Sequence, residues 1–359
     1  MLFMKNSFIL LTGILLLANC TDPASAEAIR TGIIVNKKAI QLDSLPRDAL
    51  FFVEGQWCQH LRQIHQDRRG DLWFGTNVYG LWRYNGDTLS RIPVITAAGE
   101  QRPGRITGFV EDRNGTLWIG TSSGLLRYDD PGFTPFTESE GLPNEEIWAL
   151  HPDRQGTLWI GTNVGLCRFD GTNFRTVAVP KATVAEPNVV YSEDRIVAIA
   201  EDTAGALWLG TDGYGLLRYN GEEFTHFTTE NGLCDNTISE LHTDRRGNLW
   251  IGTYYGGVSR YDGQEFTNFT QQGRLEGVEV GAFFEHDDGA IWFAAENHGV
   301  YRYADGAFTQ FYKNAGLPTN GILDIYQDRN GRFWFGGWGG LFRLEEGRFS
   351  AVSQNGPWE

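Results

Sequence analysis

The chain has 359 residues, with 45 glycines, 12 tryptophans, 13 tyrosines and 23 phenylalanines. Hydrophobic residues make up 41% and charged residues 21%, which is typical of a globular chain and excludes a disordered one. Frequent glycines and aromatics favour many short strands joined by tight turns. The formal net charge of -15 would repel a phosphate backbone, so nucleic acid is not an expected partner.

The chain begins with features of an export signal. Lys5 precedes an apolar run from Phe8 to Leu17, which is too short to span a bilayer but matches a signal-peptide core. The run ends in Leu17-Ala18-Asn19-Cys20, which resembles the lipobox of bacterial lipoproteins, although Gly, Ala or Ser is usual at the position of Asn19. We expect a lipoprotein-type signal peptide at residues 1–19, lipid on Cys20 and a tether at residues 20–48. Cleavage after Ala24-Ser25-Ala26 is the alternative, and both place the mature chain outside the cytoplasm, in the cell envelope.

One sequence unit recurs seven times at intervals of 41 to 49 residues. Its tryptophans are Trp73, Trp118, Trp159, Trp208, Trp250, Trp292 and Trp334. A Gly lies three residues before each Trp, and an Asp lies six before it in every copy except the one with His286. The Asp-x-x-Gly segment predicts a hairpin turn, and the following Leu-Trp-Ile-Gly-Thr predicts a strand buried on both faces.

Each unit predicts four short antiparallel strands, here called a to d. The repeat length fits a propeller blade and exceeds that of leucine-rich or ankyrin units. We therefore predict an all-β fold, a seven-bladed β-propeller of four-stranded antiparallel blades, over residues 49–352, with a tail at 353–359. Phe349 to Val352 resembles the outer strand of blade seven, but so does Leu50 to Gly55. We expect one of them to add as an extra edge, and the pattern does not decide which.

The segments Gly141 to Asp170 and Gly232 to Asp262 are very similar to the two-component regulator propeller repeat. That pattern runs roughly G-L-P-x-N-x-I-x-x-I-x-x-D-x-x-G-x-L-W-I-G-T-x-x-G-L-x-R-Y-D, and the resemblance covers residues 49–352. Propellers of this family usually form the extracytoplasmic sensor half of a membrane histidine kinase and often sense glycans. The resemblance implies the fold and a ligand-binding or sensor role. It does not imply phosphotransfer, because this sequence contains no kinase or receiver.

Residues repeated in every blade are expected to be structural. The last strongly repeated position is an Arg, which we expect to bond loop carbonyls or the turn Asp: Arg83, Arg127, Arg168, Arg218, Arg260, Arg302 and Arg343. Cys58, Cys167 and Cys234 differ in repeat position and should be isolated buried thiols.

No metal, cofactor or catalytic site is expected. His65, His151 and His242 share one position of strand a, but no carboxylate keeps step with them, so we do not predict a metal site. The sequence shows no nucleophile elbow, no Ser-His-Asp order and no unusual carboxylate pair. A lyase would need a base such as His298, which is unique to blade six.

The binding site is predicted from the direction of the strands. The b–c and d–a loops share one face, whereas the uniform a–b turns lie on the other. The b–c loops differ in every blade, and the longest insertion, around Lys181 to Tyr191, is a d–a loop on the same face. Variable loops gathered on one face often mark the binding face. The candidate ligand-binding residues are Tyr79, Tyr214, Tyr254, Tyr255, His298 and Trp338, with Tyr254, Tyr255 and Trp338 expected to flank a central mouth.

Three functions of different classes follow from these patterns. The first is an extracytoplasmic sensor or binding module for a small ligand, with a glycan as the first expectation, anchored to a membrane through lipid only. The second is a scaffold that binds a partner protein across the loop face. The third is a propeller lyase or hydrolase, for which the sequence offers no catalytic constellation.

Overall fold

The computed structural model describes residue 53 and residues 55–96, 99–101, 104–130 and 132–358. In this part of the chain, strands build seven four-stranded sheets, all of whose pairings are antiparallel. The predicted seven-bladed β-propeller is therefore confirmed. The predicted signal peptide, Cys20 and the tether at 20–48 lie outside the described residues.

Each blade takes its four strands from consecutive segments of the chain, in the spatial order a-b-c-d. The a strands are Leu61–Gln66, Ile106–Glu111, Ile147–Pro152, Ile196–Glu201, Ile238–Thr243, Val280–Glu285 and Ile322–Gln327. The b strands are Leu72–Thr76, Leu117–Thr121, Leu158–Thr162, Leu207–Thr211, Leu249–Thr253, Ile291–Ala295 and Phe333–Gly337. The c strands are Leu81–Tyr84, Gly124–Tyr128, Gly165–Phe169, Leu216–Tyr219, Val258–Tyr261, Gly299–Ala304 and Gly340–Glu345. The d strands are Leu89–Ile92, Phe133–Phe136, Phe174–Val177, Phe224–Phe227, Phe266–Asn268, Ala307–Phe311 and Arg348–Ala351.

Little regular structure lies between the blades. A two-stranded hairpin, Val94–Thr96 with Gly99–Gln101, follows blade one. Single 3-10 turns follow blades two, four and six, at Glu138–Glu140, Thr229–Asn231 and Lys313–Ala315. No helix in the described residues is long and apolar enough to cross a membrane.

The a strands surround the axis of the ring. Strand a of each blade contacts strand a of the next, and strand a of blade one contacts strand a of blade seven, so the ring is closed. We call the face with the b–c and d–a loops the top face, and the face with the a–b and c–d turns the bottom face.

The a–b turn is held by the carboxylate of the repeated Asp. In blade three, Asp153 Oδ1 accepts hydrogen bonds from the backbone N–H groups of Gln155 and Thr157, both at 2.8 Å. Asp153 Oδ2 accepts from Nε1 of Trp159 at 2.8 Å. The same Asp–Trp bond recurs in all six blades that carry the Asp. The turn chemistry expected from Asp-x-x-Gly is thus present, and it also fixes the Trp ring.

The hydrophobic core consists of seven clusters, one at each junction between neighbouring blades. Strand b is buried along its whole length in six of the seven blades, as its two apolar faces predict. Its Trp points into the next blade. Trp208 of blade four, for example, meets Tyr261 of blade five edge to face, with 5.5 Å between the ring centroids.

Among the described residues, the ring closes without a strand from the N-terminal side. Strand d of blade seven is Arg348–Ala351, which answers the question left open by the sequence. Of Leu50 to Gly55, the structure describes only Val53 and Gly55, and neither lies in a strand. The next segment contributes side chains instead, since Gln56 Oε1 accepts from the Leu341 N–H at 2.9 Å and Gln56 Nε2 donates to the Leu341 carbonyl at 3.0 Å.

The C-terminal segment also fills the last junction. The ring of Trp358 stacks on Tyr84 of blade one at 4.5 Å and lies 5.9 Å from Trp334 of blade seven. It is buried in the same cluster as Trp57. Residues 353–358 therefore contribute to closure of the ring as well as following the last strand.

Blade six lacks the Asp–Trp bond. His286 replaces the Asp, and Nε1 of the buried Trp292 has no hydrogen-bond partner among the described residues. The backbone turn persists, because Gly289 N–H still donates to the His286 carbonyl at 2.9 Å. The position therefore offers a natural comparison between a blade with the bond and a blade without it.

We expect Asp153→Ala to lower the free energy of unfolding by about 2–3 kcal/mol, because it leaves the buried Trp159 N–H and two turn N–H groups without acceptors. His286→Ala should cost clearly less, since Trp292 already lacks an acceptor. Urea unfolding of both variants measures the difference. Equal losses in the two blades would show that the carboxylate does not hold the Trp.

Candidate functional site

The long d–a insertion between blades three and four is tied down at its end. The carboxylate of Asp212, in the b–c loop of blade four, accepts from the backbone N–H groups of Val190, Tyr191 and Ser192 at 2.8, 2.8 and 3.1 Å. Thr237 Oγ1 of blade five donates to the Asn188 carbonyl at 2.8 Å. The insertion thus forms a fixed strap that ends on the top face beside the axis.

The strap completes a stack of alternating cations and aromatic rings. The guanidinium of Arg105 lies 4.3 Å from the ring centroid of Trp148, and that of Arg195 lies 4.4 Å from the same ring. Tyr191 of the strap lies 4.3 Å from the Arg195 guanidinium. Arg105 also forms an ion pair with Glu146 at 2.8 Å. Blades two, three and four therefore present Arg, Trp, Arg and Tyr side by side.

Arg195 is buried with few polar partners. Its side chain is 0% exposed, and its Nη2 lies 3.2 Å from Asp212 Oδ2. None of its three guanidinium nitrogens forms a well-aligned hydrogen bond within the described residues. Burial raises the pKa of the neighbouring Tyr254, whereas the positive charge of Arg195 lowers it. Asp212 thus holds both the strap and the cation beneath it.

Arg62, on strand a of blade one, brings a third cation to the axis. Burial and the nearby charge of Arg105 lower its pKa, whereas Tyr254, Tyr191 and Glu240 raise it. These neighbours belong to blades two and five and to the strap before blade four. Because blades four and five lie opposite blade one in a ring of seven, the guanidinium must reach into the axial channel. We call the cluster of Arg62, Arg105, Trp148, Tyr191, Arg195 and Tyr254, at the top of the axis, the axial mouth.

Three carboxyl groups in strand a or just before it have raised pKa values. Burial, with the neighbouring Glu296 carboxyl as a second cause, raises the pKa of Glu279, just before strand a of blade six, to about 8. The sequence pattern contained no sign that these two carboxyl groups are neighbours. Burial also raises the pKa of Glu240 to about 7 and that of Asp324 to about 8. Asp324 Oδ2 accepts from the Ile64 N–H at 2.6 Å.

Two predicted ligand residues lie at or beside the mouth. Tyr254 is part of it, and Tyr255 follows with its ring centroid 6.2 Å from that of Tyr254. The Tyr255 side chain is 49% exposed. No contact in the described structure tests whether either residue binds a ligand.

Tyr79 and Tyr214 lie away from the mouth. Tyr79 is buried, and its hydroxyl donates to Gln59 Oε1 at 3.1 Å, so it packs its loop and offers no free stacking surface. Tyr214 lies under the Lys181 ammonium, 5.4 Å from the ring centroid, and lines a cavity of about 130 Å³ between blades three and four. Its ring therefore belongs to the outer part of the strap.

His298 and Trp338 lie on the side of blades six and seven. His298 Nδ1 lies 3.4 Å from Glu276 Oε2. Trp338 packs over Gly321, where an added Cβ would approach its ring to 3.0 Å. With Glu296, Asn297 and Tyr312, it lines a top-face cavity of about 810 Å³. Trp338 thus faces this lateral cavity, and its predicted place at the central mouth stays a prediction.

The three His of alternate blades each have a carboxylate, contrary to expectation. Glu111, Glu201 and Glu285 come from the next blade in each case, so comparing one blade at a time could not find them. Oε2 of these residues lies 4.0, 3.6 and 3.9 Å from Nε2 of His65, His151 and His242. Burial lowers the pKa of His65 and His242 to about 4, so both are neutral near pH 7. Among the described residues, no group of three or more His, Cys, Asp or Glu could hold a metal ion.

The repeated Arg side chains are held near strand b. Arg218 bonds the turn residue Asp202 at 2.8 Å, as predicted, whereas Arg302 uses Asp288 at 2.7 Å. The Arg83, Arg218 and Arg343 guanidinium groups lie 5.3–6.0 Å from the Trp ring of their own blade. The carboxylate that accepts from the repeated Arg therefore varies from blade to blade. Cys58, Cys167 and Cys234 are buried and free, as expected.

Exposed apolar side chains are confined to one face. The large hydrophobic residues that are exposed in the described structure all lie in b–c or d–a loops: Val78, Val164, Tyr191, Tyr255 and Val278. They come from blades one, three and five and from the loops that precede blades four and six. The top face is therefore the surface on which an apolar partner or ligand could dock.

Sequence reasoning missed the charged part of the mouth. Arg62 is the one charged residue at its position of strand a, and Glu240 and Asp324 share the next position, where the other blades carry Gln, Gly or Ala. A search for charged residues in strand a that the other copies lack would have found them. Trp148 and Arg195 carried no such signal, because aromatic and polar residues at strand ends are common.

Comparison with known proteins supports the fold and the repeat. The model of the two-component regulator propeller matches residues 101–123, 141–164, 191–213, 232–255 and 316–339. No curated protein matches the chain. A solved extracellular domain assigned to a hybrid two-component system of B. thetaiotaomicron is 22% identical, with a TM-score of 0.65, over 79% of this chain and 38% of that one.

Two further solved structures share the fold but carry other descriptions. Virginiamycin B lyase from Staphylococcus aureus is 14% identical, with a TM-score of 0.60, over 81% of this chain and 96% of that one. PorZ, a surface component of the type-IX secretion system of Porphyromonas gingivalis, is 15% identical, with a TM-score of 0.59, over 78% of this chain and 46% of that one. At these identities the likeness shows the fold alone.

We expect Glu279→Gln to flatten the pH dependence of stability. Because the folded pKa of Glu279 is raised to about 8, its carboxyl keeps a proton that the unfolded chain releases near pH 4.5. Stability due to this group is therefore complete below about pH 4.5 and is lost as the pH rises to about 8. The melting temperature should fall less over this range in the variant than in the wild type. The exposed Glu223→Gln serves as control, and parallel curves for all three proteins would contradict the raised pKa of Glu279.

Proposed function

Because its repeats resemble those of the two-component regulator propeller family, we propose that this chain is an extracytoplasmic binding module of the sensor type. Its ligand would bind at the axial mouth on the top face. The observation that carries the proposal is the stack of Arg105, Trp148, Arg195 and Tyr191, held in place by Asp212. Placement outside the cytoplasm rests on the N-terminal sequence and is part of the proposal.

A glycan is the ligand class that we propose. Sugar rings present flat C–H faces that pack on aromatic rings and hydroxyl groups that bond to charged side chains. The mouth offers both kinds of group, in Trp148, Tyr191 and Tyr254 and in the neighbouring arginines. Tyr191 is 63% exposed and so is open to a ligand from above.

A non-catalytic role fits this arrangement. A lyase would need a base such as His298. This residue is paired with Glu276 in a loop of blade six and is not among the residues that form the axial mouth. Only the fold, which this chain shares with enzymes such as virginiamycin B lyase, supports a lyase or hydrolase function.

A scaffold for a partner protein is the second candidate, and one observation favours it. The exposed apolar side chains of the top face are spread from blade one to blade six, which is wider than a small ligand would cover. Such a distribution suits a protein surface laid across the loops.

We expect at least one oligosaccharide to raise the melting temperature of the chain from residue 20 onward, because a ligand that binds only the folded state stabilises it. Tyr255→Ala and Tyr191→Ala should weaken that ligand about thirtyfold, the effect of losing roughly 2 kcal/mol at an aromatic hot spot. Thr172→Ala, in an exposed c–d turn, is the control on the bottom face.

Two outcomes would decide against this assignment. If Thr172→Ala weakens binding and both Tyr variants do not, the ligand uses the other face. If no oligosaccharide binds and a purified envelope protein does, in a manner lost in Tyr255→Ala, the scaffold function is the correct one. Cleavage of a bound oligosaccharide would show that the protein is an enzyme.

We expect Cys20→Ser to move the protein from the detergent phase to the aqueous phase in Triton X-114 partitioning. The reason is that lipid on Cys20 would supply the membrane anchor. Mass spectrometry of the mature N-terminus gives an independent measurement. Equal partitioning of the two proteins, or an N-terminus at Glu27, would exclude lipidation.

A further inference from the structure

Arg62 differs from the other arginines of the axial mouth in the contacts of its side chain. Arg105 is paired with Glu146, and Arg195 lies beside Asp212. Among the described residues, the Arg62 side chain forms no ion pair and its buried Nε has no hydrogen-bond acceptor, although the charge of Glu240 acts on it from a distance. A charge held in a narrow channel without a partner costs stability, so its presence calls for another explanation.

The position of Arg62 is special to blade one. The equivalent residues of strand a in the other blades are Thr107, Trp148, Val197, Ser239, Gly281 and Leu323, none of which is charged. The repeat itself therefore does not need a cation there. We therefore attribute the Arg62 side chain to the proposed ligand site and not to the structure of the blade.

The carboxyl groups nearest to Arg62 offset its charge only in part. The charges of Arg62 and Glu240 favour each other's ionised form, but burial is the larger effect on Glu240 and raises its pKa to about 7. The Asp324 carboxylate bonds the Ile64 N–H, and its pKa is raised to about 8. Near neutral pH, both groups carry protons for much of the time, so the channel keeps a positive charge in a protein whose net charge is -15.

The chemistry around Arg62 defines what it would bind. A guanidinium with free N–H groups forms paired hydrogen bonds with a carboxylate, a sulfate or a phosphate. Tyr254 and Tyr191 lie near enough to alter the pKa of Arg62. A sugar whose anionic group binds Arg62 would therefore place its ring beside these two aromatic side chains. A neutral sugar would leave the cation without a partner.

We propose that Arg62 binds an anionic group of the ligand, so that the axial mouth recognises a sugar that carries a carboxylate, a sulfate or a phosphate. This inference rests on the proposed ligand-binding function and narrows its ligand class. In this proposal the aromatic stack contacts the sugar ring, and Arg62 binds the charged group of the sugar.

The test compares sugars that differ only in charge. Calorimetry with the chain from residue 20 onward would use methyl glucoside, methyl glucuronide, glucose 6-sulfate and glucose 6-phosphate, with inorganic sulfate and phosphate as separate arms. We expect at least one acidic sugar to bind at least about tenfold more tightly than methyl glucoside, which is the effect of one charge-assisted hydrogen bond. Binding of the inorganic ions as tightly as the sugars would show an anion site without sugar recognition and would overturn the proposal.

The variants are Arg62→Gln, Arg62→Lys and, as control, Arg175→Gln on the exposed outer strand of blade three. Arg62→Gln should remove the preference for acidic sugars, Arg62→Lys should retain part of it, and the control should bind as the wild type does. The melting temperature of Arg62→Gln should be equal to or above that of the wild type, since an unpaired charge is removed. A marked fall in melting temperature would instead assign Arg62 to the fold.

The outcomes separate this inference from the function on which it rests. If neutral and acidic sugars bind equally and Tyr255→Ala weakens both, the ligand site stands and the role of Arg62 is wrong. If acidic sugars bind but Arg62→Gln leaves their affinity unchanged, the anion is bound elsewhere. If none of the charged probes binds, the proposal for Arg62 fails, and the oligosaccharide screen alone decides the binding function.

Discussion

One carboxylate determines both the turn and the packing of each blade. A buried indole N–H must find an acceptor, and here it finds Oδ2 of the Asp whose Oδ1 closes the a–b turn. The Trp ring held in this way projects into the next blade, as Trp208 does onto Tyr261. The same side chain therefore couples local turn geometry to the spacing of blades. Blade six, where His286 stands in this place, keeps the backbone turn but leaves the Trp292 N–H unbonded.

This constraint makes the two faces of the ring unequal. On the bottom face, further side chains join neighbouring blades. The backbone N–H of Arg68 donates to Glu111 at 3.1 Å, and that of Arg154 donates to Glu201 at 3.2 Å. At the closing junction, the Arg329 N–H donates to Gln66 at 2.8 Å. Because the side chains of these turns join neighbouring blades, the sequence of the turns cannot vary freely. The top loops also join neighbouring blades, but mainly through backbone hydrogen bonds, such as those of the Gly215 N–H to the Asn236 carbonyl at 2.7 Å and of the Gly257 N–H to the Val278 carbonyl at 2.9 Å. Backbone bonds leave the loop side chains free to differ, and the insertion, the exposed apolar residues and the axial mouth all occur on this face.

The sequence predicted the parts of the structure that repeat, since seven copies of one pattern leave a single explanation. It could not predict parts that occur once. Trp358 closes the ring through contacts with Tyr84 and Trp334, which lie far away in the chain. Tyr79 looked like an exposed loop residue, but Gln59, from the segment before the first strand, covers it. The proposed face of the binding site follows from strand direction, whereas Arg62 and Trp148 were missed because a search for repeated residues passes over a position that differs in one blade.

Contacts within the protein hold the residues of the axial mouth in place without a ligand. Asp212 holds three backbone N–H groups of the strap and lies against Arg195, so Tyr191 cannot leave its place over that cation without loss of several hydrogen bonds. A preorganised site of this kind loses little conformational entropy on binding. A bound ligand would act mainly by changing what the top face presents, next to the exposed rings of Tyr191 and Tyr255. Under the proposed functions, a small ligand and a docking protein would both use this face.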